Sequence, residues 1–336
     1  VGKARAARKL AAAAAFGGGG AGLLGGTLVA ILMAEAVLAK RAIGEPVNDP
    51  PHADGIYGEG PGNPIEFVVL GDSTACGLGV ATADETPGAM LATGLAALSG
   101  RSVRLTVVAV SGAETQHLDG QVDRALAVEP DLALIIIGAN DVTHRTLPSE
   151  SVRLLVQGVR RLRDADCQVV VGTCPDLGTV EPLAFPLRQL ARTWSQRLAA
   201  AQTIAAVEAG ARTVSLGSLL GPEFAAAPRE LFGPDRFHPS ATGYASAAVA
   251  LLPSLAAALG YWPDDEDLDV PLGDGEILPI SFAAVRAAKN SGTEVAATDV
   301  AGRDRGPRGR WAQLRKRDQQ NVPPIDRQLP TEHETA

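Results

Sequence analysis

The chain alternates between short, nearly unbroken apolar runs and longer stretches in which apolar residues recur every three or four positions. Phe67-Val68-Val69-Leu70 is the first run, and 103–110, 132–137, 169–172 and 213–216 repeat its character. Each is β-branched or Leu-rich and bounded by turn residues, as buried strands are. The stretches between them predict helices. Residues 85–98 are Ala- and Leu-rich and stop at Gly100. Residues 149–164 carry Val152, Leu155, Val156, Val159 and Leu162 on one helical face, with Ser149 placed as the N-cap. Helices are also expected over 115–128, 186–209 and 240–259. Continuous apolar strands alternating with helices predict an α/β domain with a parallel sheet of five strands, covered on both faces.

In such sheets the ligand site lies beyond the carboxyl ends of the strands. Ser73, Gly112 and Asn140 each stand just past a predicted strand end, which puts them on one rim. Ser73 occupies the tip of a strand-to-helix turn and is a candidate nucleophile. A serine nucleophile needs a base, a group that orients the base, and donors for an oxyanion. His238 is the candidate base. Asp235 lies three residues before it on the same loop, where its carboxylate can hold one ring nitrogen while the other faces Ser73. Gly112 offers a bare backbone N–H and Asn140 a side-chain amide; with the Ser73 N–H they make a three-donor oxyanion hole. Asp72 and Asp141 read as turn residues bonded to nearby backbone. His52, His117, His144 and His333 have no orienting partner at short spacing and read as surface groups. No clustering of His, Cys or carboxylates suggests a metal, so no metal is expected.

Taken together, Gly71-Asp72-Ser73, Gly112, Gly138-Ala139-Asn140-Asp141 and Asp235-Arg236-Phe237-His238-Pro239 resemble the four sequence blocks of the SGNH (GDSL-type) hydrolases in order and rough spacing. Over residues 65–260 the resemblance implies a three-layer α/β/α sandwich with a flavodoxin-like parallel sheet. It implies ester hydrolysis without a cofactor, with Ser73 as nucleophile, His238 as base, Asp235 as orienter, and Ser73, Gly112 and Asn140 as oxyanion donors. Thr74 departs from the Leu of the family pattern, at a position that carries no proton chemistry. Gly71-Asp72-Ser73-Thr74-Ala75 is also one residue from the Gly-x-Ser-x-Gly elbow of α/β-hydrolases. There the serine follows several strands and the Asp and His come from separate loops. Here the serine follows the first strand, and Asp235 and His238 share one turn.

The expected function is a serine esterase acting on a small-molecule ester with a small or medium acyl chain. Acyl transfer and carbohydrate O-deacetylation use the same scaffold, and a non-catalytic membrane-anchored binding protein is the reading from a different class. Composition narrows this further. Aromatic residues are only 4%, so Ala, Val and Leu fill the core. The net charge of −8 argues against a general nucleic-acid binder, and no nucleic-acid partner is expected. The 3 cysteines imply no disulfide framework. Cys167 and Cys174 flank an extended run and would lie roughly 20 Å apart, as core thiols.

The flanks differ from the domain. Lys3, Arg5, Arg8 and Lys9 precede an uncharged stretch over 10–34, and Lys40 and Arg41 follow it. Residues 1–43 are therefore expected to form a membrane anchor, or alternatively a cleaved signal, with the domain extracytoplasmic. Residues 44–64 read as a linker. Residues 261–336 read as a charged, largely disordered tail, with an acidic run at 264–269 and a basic one at 303–317 that includes Trp311.

Overall fold

Strand β2 (Ile65–Gly71) sorts its side chains by parity, and the two hydrophobic cores follow from that sorting. In the computed structural model, which describes residues 30–39, 41–43, 49–217, 231–261 and 275–316, Ile65, Phe67 and Val69 face one layer and Val68 and Leu70 the other. Strand β4 (Leu132–Ile136) repeats the division, with Leu132, Leu134 and Ile136 on the first side and Ala133 and Ile135 on the second. Helix α3 (Pro87–Ser99) supplies Leu91 and Leu95 to the first core, and α8 (Ala241–Ala258) supplies Leu251 and Leu255. Helix α4 (Leu118–Leu126) and helix α6 (Pro148–Asp164) close the second with Leu118, Val122, Leu155, Val159 and Leu162. Helix α7 (Leu187–Glu208) packs beside α6 on that side. The result is a three-layer α/β/α arrangement.

The strands β3 (Val103–Val107), β2, β4, β5 (Gln168–Gly172) and β6 (Arg212–Val214) lie side by side in that order, every neighbouring pair parallel. The chain steps from β2 outward to β3 and then back across to β4. The carboxyl end of β2 is thus a topological switch point, where open α/β sheets bind ligands.

The sheet runs on past both expected domain boundaries. On one edge β1 (Gly55–Tyr57), inside the expected linker, pairs antiparallel with β3. On the other, residues 275–316 are ordered, contrary to the expectation of a disordered tail. Strand β8 (Thr293–Thr298) pairs antiparallel with β6, and β10 (Gly309–Lys316) pairs with β8, with β7 (Glu276–Pro279) and with the short β9 (Arg305–Gly306). Helix α9 (Ile280–Ala287) lays Ile280, Ala283 and Ala287 against Val207 of α7, Val295, Ala312 and Leu314. The basic run is split between the loop before β10 and the strand itself: Ala312 and Leu314 point inward, and Arg310, on their side of the strand, donates to the Val207 carbonyl at 3.4 Å and pairs with Asp304 at 3.2 Å. Arg308 stacks over Phe282, and Trp311 lies against Gly306. The acidic run and the residues after Lys316 fall outside the described residues.

Helix α1 (Ala30–Ala39) overlaps the end of the expected anchor. It is docked on the domain: Glu35 Oε2 accepts the Leu187 N–H at the start of α7 at 2.9 Å, and Ile43 joins a cluster with Leu177, Val180 and Phe237. Residues 1–29, the bulk of the expected anchor, lie outside the described residues. Helix α8 is long and apolar enough to cross a membrane, but more than half of it is buried as a core helix. Helix α6 starts before the expected cap Ser149. Its N-cap is Leu147 and Pro148 takes the first helical position, where a missing N–H and a fixed φ cost nothing.

Candidate active site

The Ser73 turn is built by its neighbours. Gly71 has φ 140°, and a Cβ there would sit 1.8 Å from the Ile136 carbonyl oxygen of β4. Only glycine lets β2 end so close to β4. Gln121 of α4 clamps the same residue from the other side: its Oε1 accepts the Gly71 N–H at 2.7 Å and its Nε2 donates to the Gly71 carbonyl at 2.9 Å. Asp72 caps the short helix α2 (Ser73–Cys76), its Oδ1 accepting the Thr74 N–H at 3.0 Å. Ser73 is thereby fixed at the first helical position and 8% exposed.

Asp235 and His238 belong to a tight loop. The Gly233 N–H donates to the His238 carbonyl at 2.8 Å, and Phe232 and Pro239 form an isolated bridge. Asp235 Oδ1 accepts the backbone N–H groups of Phe237 and His238, each at 3.0 Å, which leaves Oδ2 for the imidazole Nδ1 at 2.6 Å. His238 Nε2 then lies 2.9 Å from Ser73 Oγ. The loop reaches Ser73 because Gly79, at φ 106°, passes under it; a Cβ there would meet the Pro239 carbonyl at 2.8 Å. Tyr244 of α8, fully buried, donates to the Leu78 carbonyl at 2.7 Å and ties the loop's following helix to the serine turn. Phe237 presents its ring edge-on to His238, centroids 4.8 Å apart.

The electrostatics fix the hydrogen-bond directions. Burial pushes the Asp235 carboxyl up, but the imidazole and the two backbone N–H groups outweigh it, and the group ends below its ordinary value. An ionised carboxylate only accepts, so His238 Nδ1 carries a proton toward Asp235, and in the neutral imidazole Nε2 is left to accept from the Ser73 hydroxyl. Asp72 behaves oppositely. Burial raises it from 3.8 to about 6, against the Thr74 N–H and the nearby imidazole.

Asn140 sits in the first turn of helix α5 (Ala139–His144), after Gly138, and lines the pocket that holds Ser73 and His238. Its Nδ2 donates to the Ala113 carbonyl at 3.0 Å, binding it to the turn that carries Gly112. Gly112 stands on that exposed turn at φ 78°. The turn is held on its other side by Asp141, whose carboxylate accepts the Thr115 N–H at 3.1 Å and the Thr115 hydroxyl at 3.0 Å. Ser73, Asp235, His238 and Asn140 thus converge at the switch point, with the Gly112 turn bonded to Asn140. Gln121 and Tyr244, which support this assembly, carry no motif that sequence reading could pick out, whereas Phe237 falls inside the block that holds Asp235 and His238.

Residues 69–246 match the GDSL-like Lipase/Acylhydrolase family. The chain belongs to this family. It is 43% identical over 255 residues to the GDSL-like esterase Rv1075c of Mycobacterium tuberculosis, covering 72% of this chain and 79% of that protein. Among solved structures it is similar to the lipase Lip_vut3 from a goat rumen metagenome, with 18% identity and a TM-score of 0.49 over 59% of this chain and 98% of that one. It is also similar to Axe2, an acetylxylan esterase from Geobacillus stearothermophilus, with 18% identity and a TM-score of 0.45 over 62% of this chain and 98% of that one. As a GDSL-family member the chain is an ester-hydrolysing enzyme. Helix α1 and strand β7 both lie outside residues 69–246.

Proposed function

We propose that the chain is a serine esterase that works through an acyl-enzyme on Ser73. The observation that carries this is the continuous line of contacts from Ser73 Oγ to His238 Nε2 at 2.9 Å and from His238 Nδ1 to Asp235 Oδ2 at 2.6 Å. Ser73 Oγ attacks the acyl carbon while His238 Nε2 takes its proton. The carbonyl oxygen becomes an oxyanion, and the Ser73 and Gly112 N–H groups and the Asn140 amide donate to it. Collapse breaks the bond to the alcohol oxygen, which leaves with the proton from His238. A water then attacks the acyl-enzyme, giving its proton to His238, and the second collapse returns that proton to Ser73 as the acid departs. Asp235 stays ionised throughout, holding the imidazole in one tautomer and stabilising its charged form.

The pocket directly beside Ser73 is small, about 50 Å³, and walled by Leu216, Tyr244 and Ala247. That size favours a small or medium acyl group. The N-terminal segment is proposed to associate with a membrane, the domain lying on the extracytoplasmic side. Ile31, Met33, Val37 and Leu38 of α1 are all more than two-fifths exposed, an apolar surface that water does not favour. The decisive experiment is turnover of p-nitrophenyl acetate and butyrate by wild type and Ser73→Ala. Rates equal in the two proteins would remove the proposal. Membrane fractionation of the full chain tests the association.

A further inference from the structure

A second cavity adjoins the Ser73 pocket. It has a volume of about 660 Å³, in the range of sites that hold drug-sized ligands. Asn140, Leu177, Val180 and Phe237 line both cavities, so the groove lies directly against the pocket that holds Ser73 and His238. One wall is α7 and the segment before it, with Leu187, Leu190, Ala191 and Trp194. The other is α1, with Leu32, Met33 and Ala36. The few polar positions, among them His144 and Arg145, are confined to α5 and the residue that ends it.

Resting on the esterase reading, we propose that this groove binds an extended hydrocarbon chain of the ester substrate, making the preferred substrate lipid-like. Three observations converge on this occupant. The groove shares four wall residues with the Ser73 pocket, so a chain lying in it is within reach of an ester seated at the serine. Its two helical walls are apolar along their length, which suits an unbranched chain, and its donors Asn140, Thr143, His144 and Arg145 are gathered at the α5 end. Its mouth is apolar as well: Phe185, between the lining residues Leu183 and Leu187, is 81% exposed, and Met33 of the opposite wall is 53% exposed. The α1 wall is held in place by the Glu35 contact to the start of α7, and it lies outside the residues that match the family.

The chain can belong to the acyl or the alcohol side of the ester, and two substrate series separate these. The full-length protein is assayed with p-nitrophenyl esters from acetate to dodecanoate and with alkyl acetates from ethyl to dodecyl. In at least one series kcat/KM should climb by up to roughly fourfold per added methylene until the groove is filled. Ala36→Trp and Ala191→Trp, one on each wall, should each lower the ratio of long-chain to short-chain kcat/KM at least tenfold. Calorimetric titration of Ser73→Ala with sodium decanoate gives an independent reading, with saturable binding expected and weakened by Ala36→Trp. Decanoate binding without turnover of any ester would support the groove while removing the esterase reading. Turnover of acetate with no chain-length gain in either series and no decanoate binding would overturn the groove alone.

Discussion

Asp235 grips His238 at two points, its Oδ1 on the backbone N–H at 3.0 Å and its Oδ2 on the ring Nδ1 at 2.6 Å. The same carboxylate therefore sets both the loop and the tautomer. An amide in its place keeps one accepting oxygen for the backbone but presents a donor to Nδ1. The imidazole must then accept there and carry its proton on Nε2, facing Ser73, which cannot then be deprotonated. Asp235→Asn should lower kcat by about 10³- to 10⁴-fold with the fold intact. Steady-state kinetics alongside circular dichroism checks this; a loss under tenfold would count against Asp235 as the orienter.

Asn140 has two claims on its amide. Nδ2 donates to the Ala113 carbonyl, and its remaining N–H is free to meet an oxyanion. Asn140→Ala removes both the donor and the strut of the Gly112 turn. The expected result is a fall in kcat of about 10²- to 10³-fold, with KM changed far less. A change confined to KM would place Asn140 in ground-state binding instead.

Asp72 gives a pH signature of its own. Its folded value, about 6, lies above the 3.8 of an unperturbed aspartate, so the folded chain binds the proton more tightly. A raised carboxyl contributes stability at low pH, and that contribution is lost as pH rises from about 3.8 through about 6. The full loss is on the order of 3 kcal/mol. Asp72→Asn retains a capping oxygen for Thr74 and does not titrate. The stability of the variant relative to wild type should therefore rise across that window and level off above it. Urea unfolding at a series of pH values measures the difference, and a flat difference would refute the shifted Asp72.

Much of this architecture is legible in the sequence because the central strands are buried on both sides. Val68, Val69, Leu70 and the β4 run show up as unbroken apolar letters, and the residues that end them are those on the rim. What fails to show is equally physical. Strand β10 buries Ala312 and Leu314 in a segment flanked by Arg308, Arg310 and Arg315, so its two-residue alternation is short and masked by charge. Helix α1 begins inside the uncharged stretch 10–34 and ends just before Lys40, so it reads as the end of an anchor, and its docking through Glu35 on the start of α7 is written in no local pattern. Gln121 clamps Gly71 from about fifty residues away, a relation fixed by the switch point and written in no local pattern.

The C-terminal strands lead to the last prediction. Val295 of β8 is fully buried and packs with Val207 of α7, Ala312 and Leu314, and its strand continues the parallel sheet through β6. Beside it Glu294, 2% exposed on its side chain, pairs with Arg212 of β6 at 2.7 Å. If residues 275–316 form one cooperative unit with the catalytic sheet, Val295→Ala leaves a cavity at a shared core and costs roughly 1–3 kcal/mol. Denaturant unfolding should then remain a single transition with a lower midpoint. Unchanged stability, or a separate early transition for the variant, would mean that the extension hangs on the domain without supporting it. The distinction matters for the site because β6 borders both layers. Its neighbour β5 leads into the Pro175 to Val180 segment that lines the Ser73 pocket, and the α7 helix that α9 covers is the same helix that walls the groove. Yet the extension meets α7 at Val207, roughly 20 Å along the helix from the groove residues Leu190 and Trp194, so Val295→Ala should leave the long-chain to short-chain kcat/KM ratio unchanged while it lowers stability.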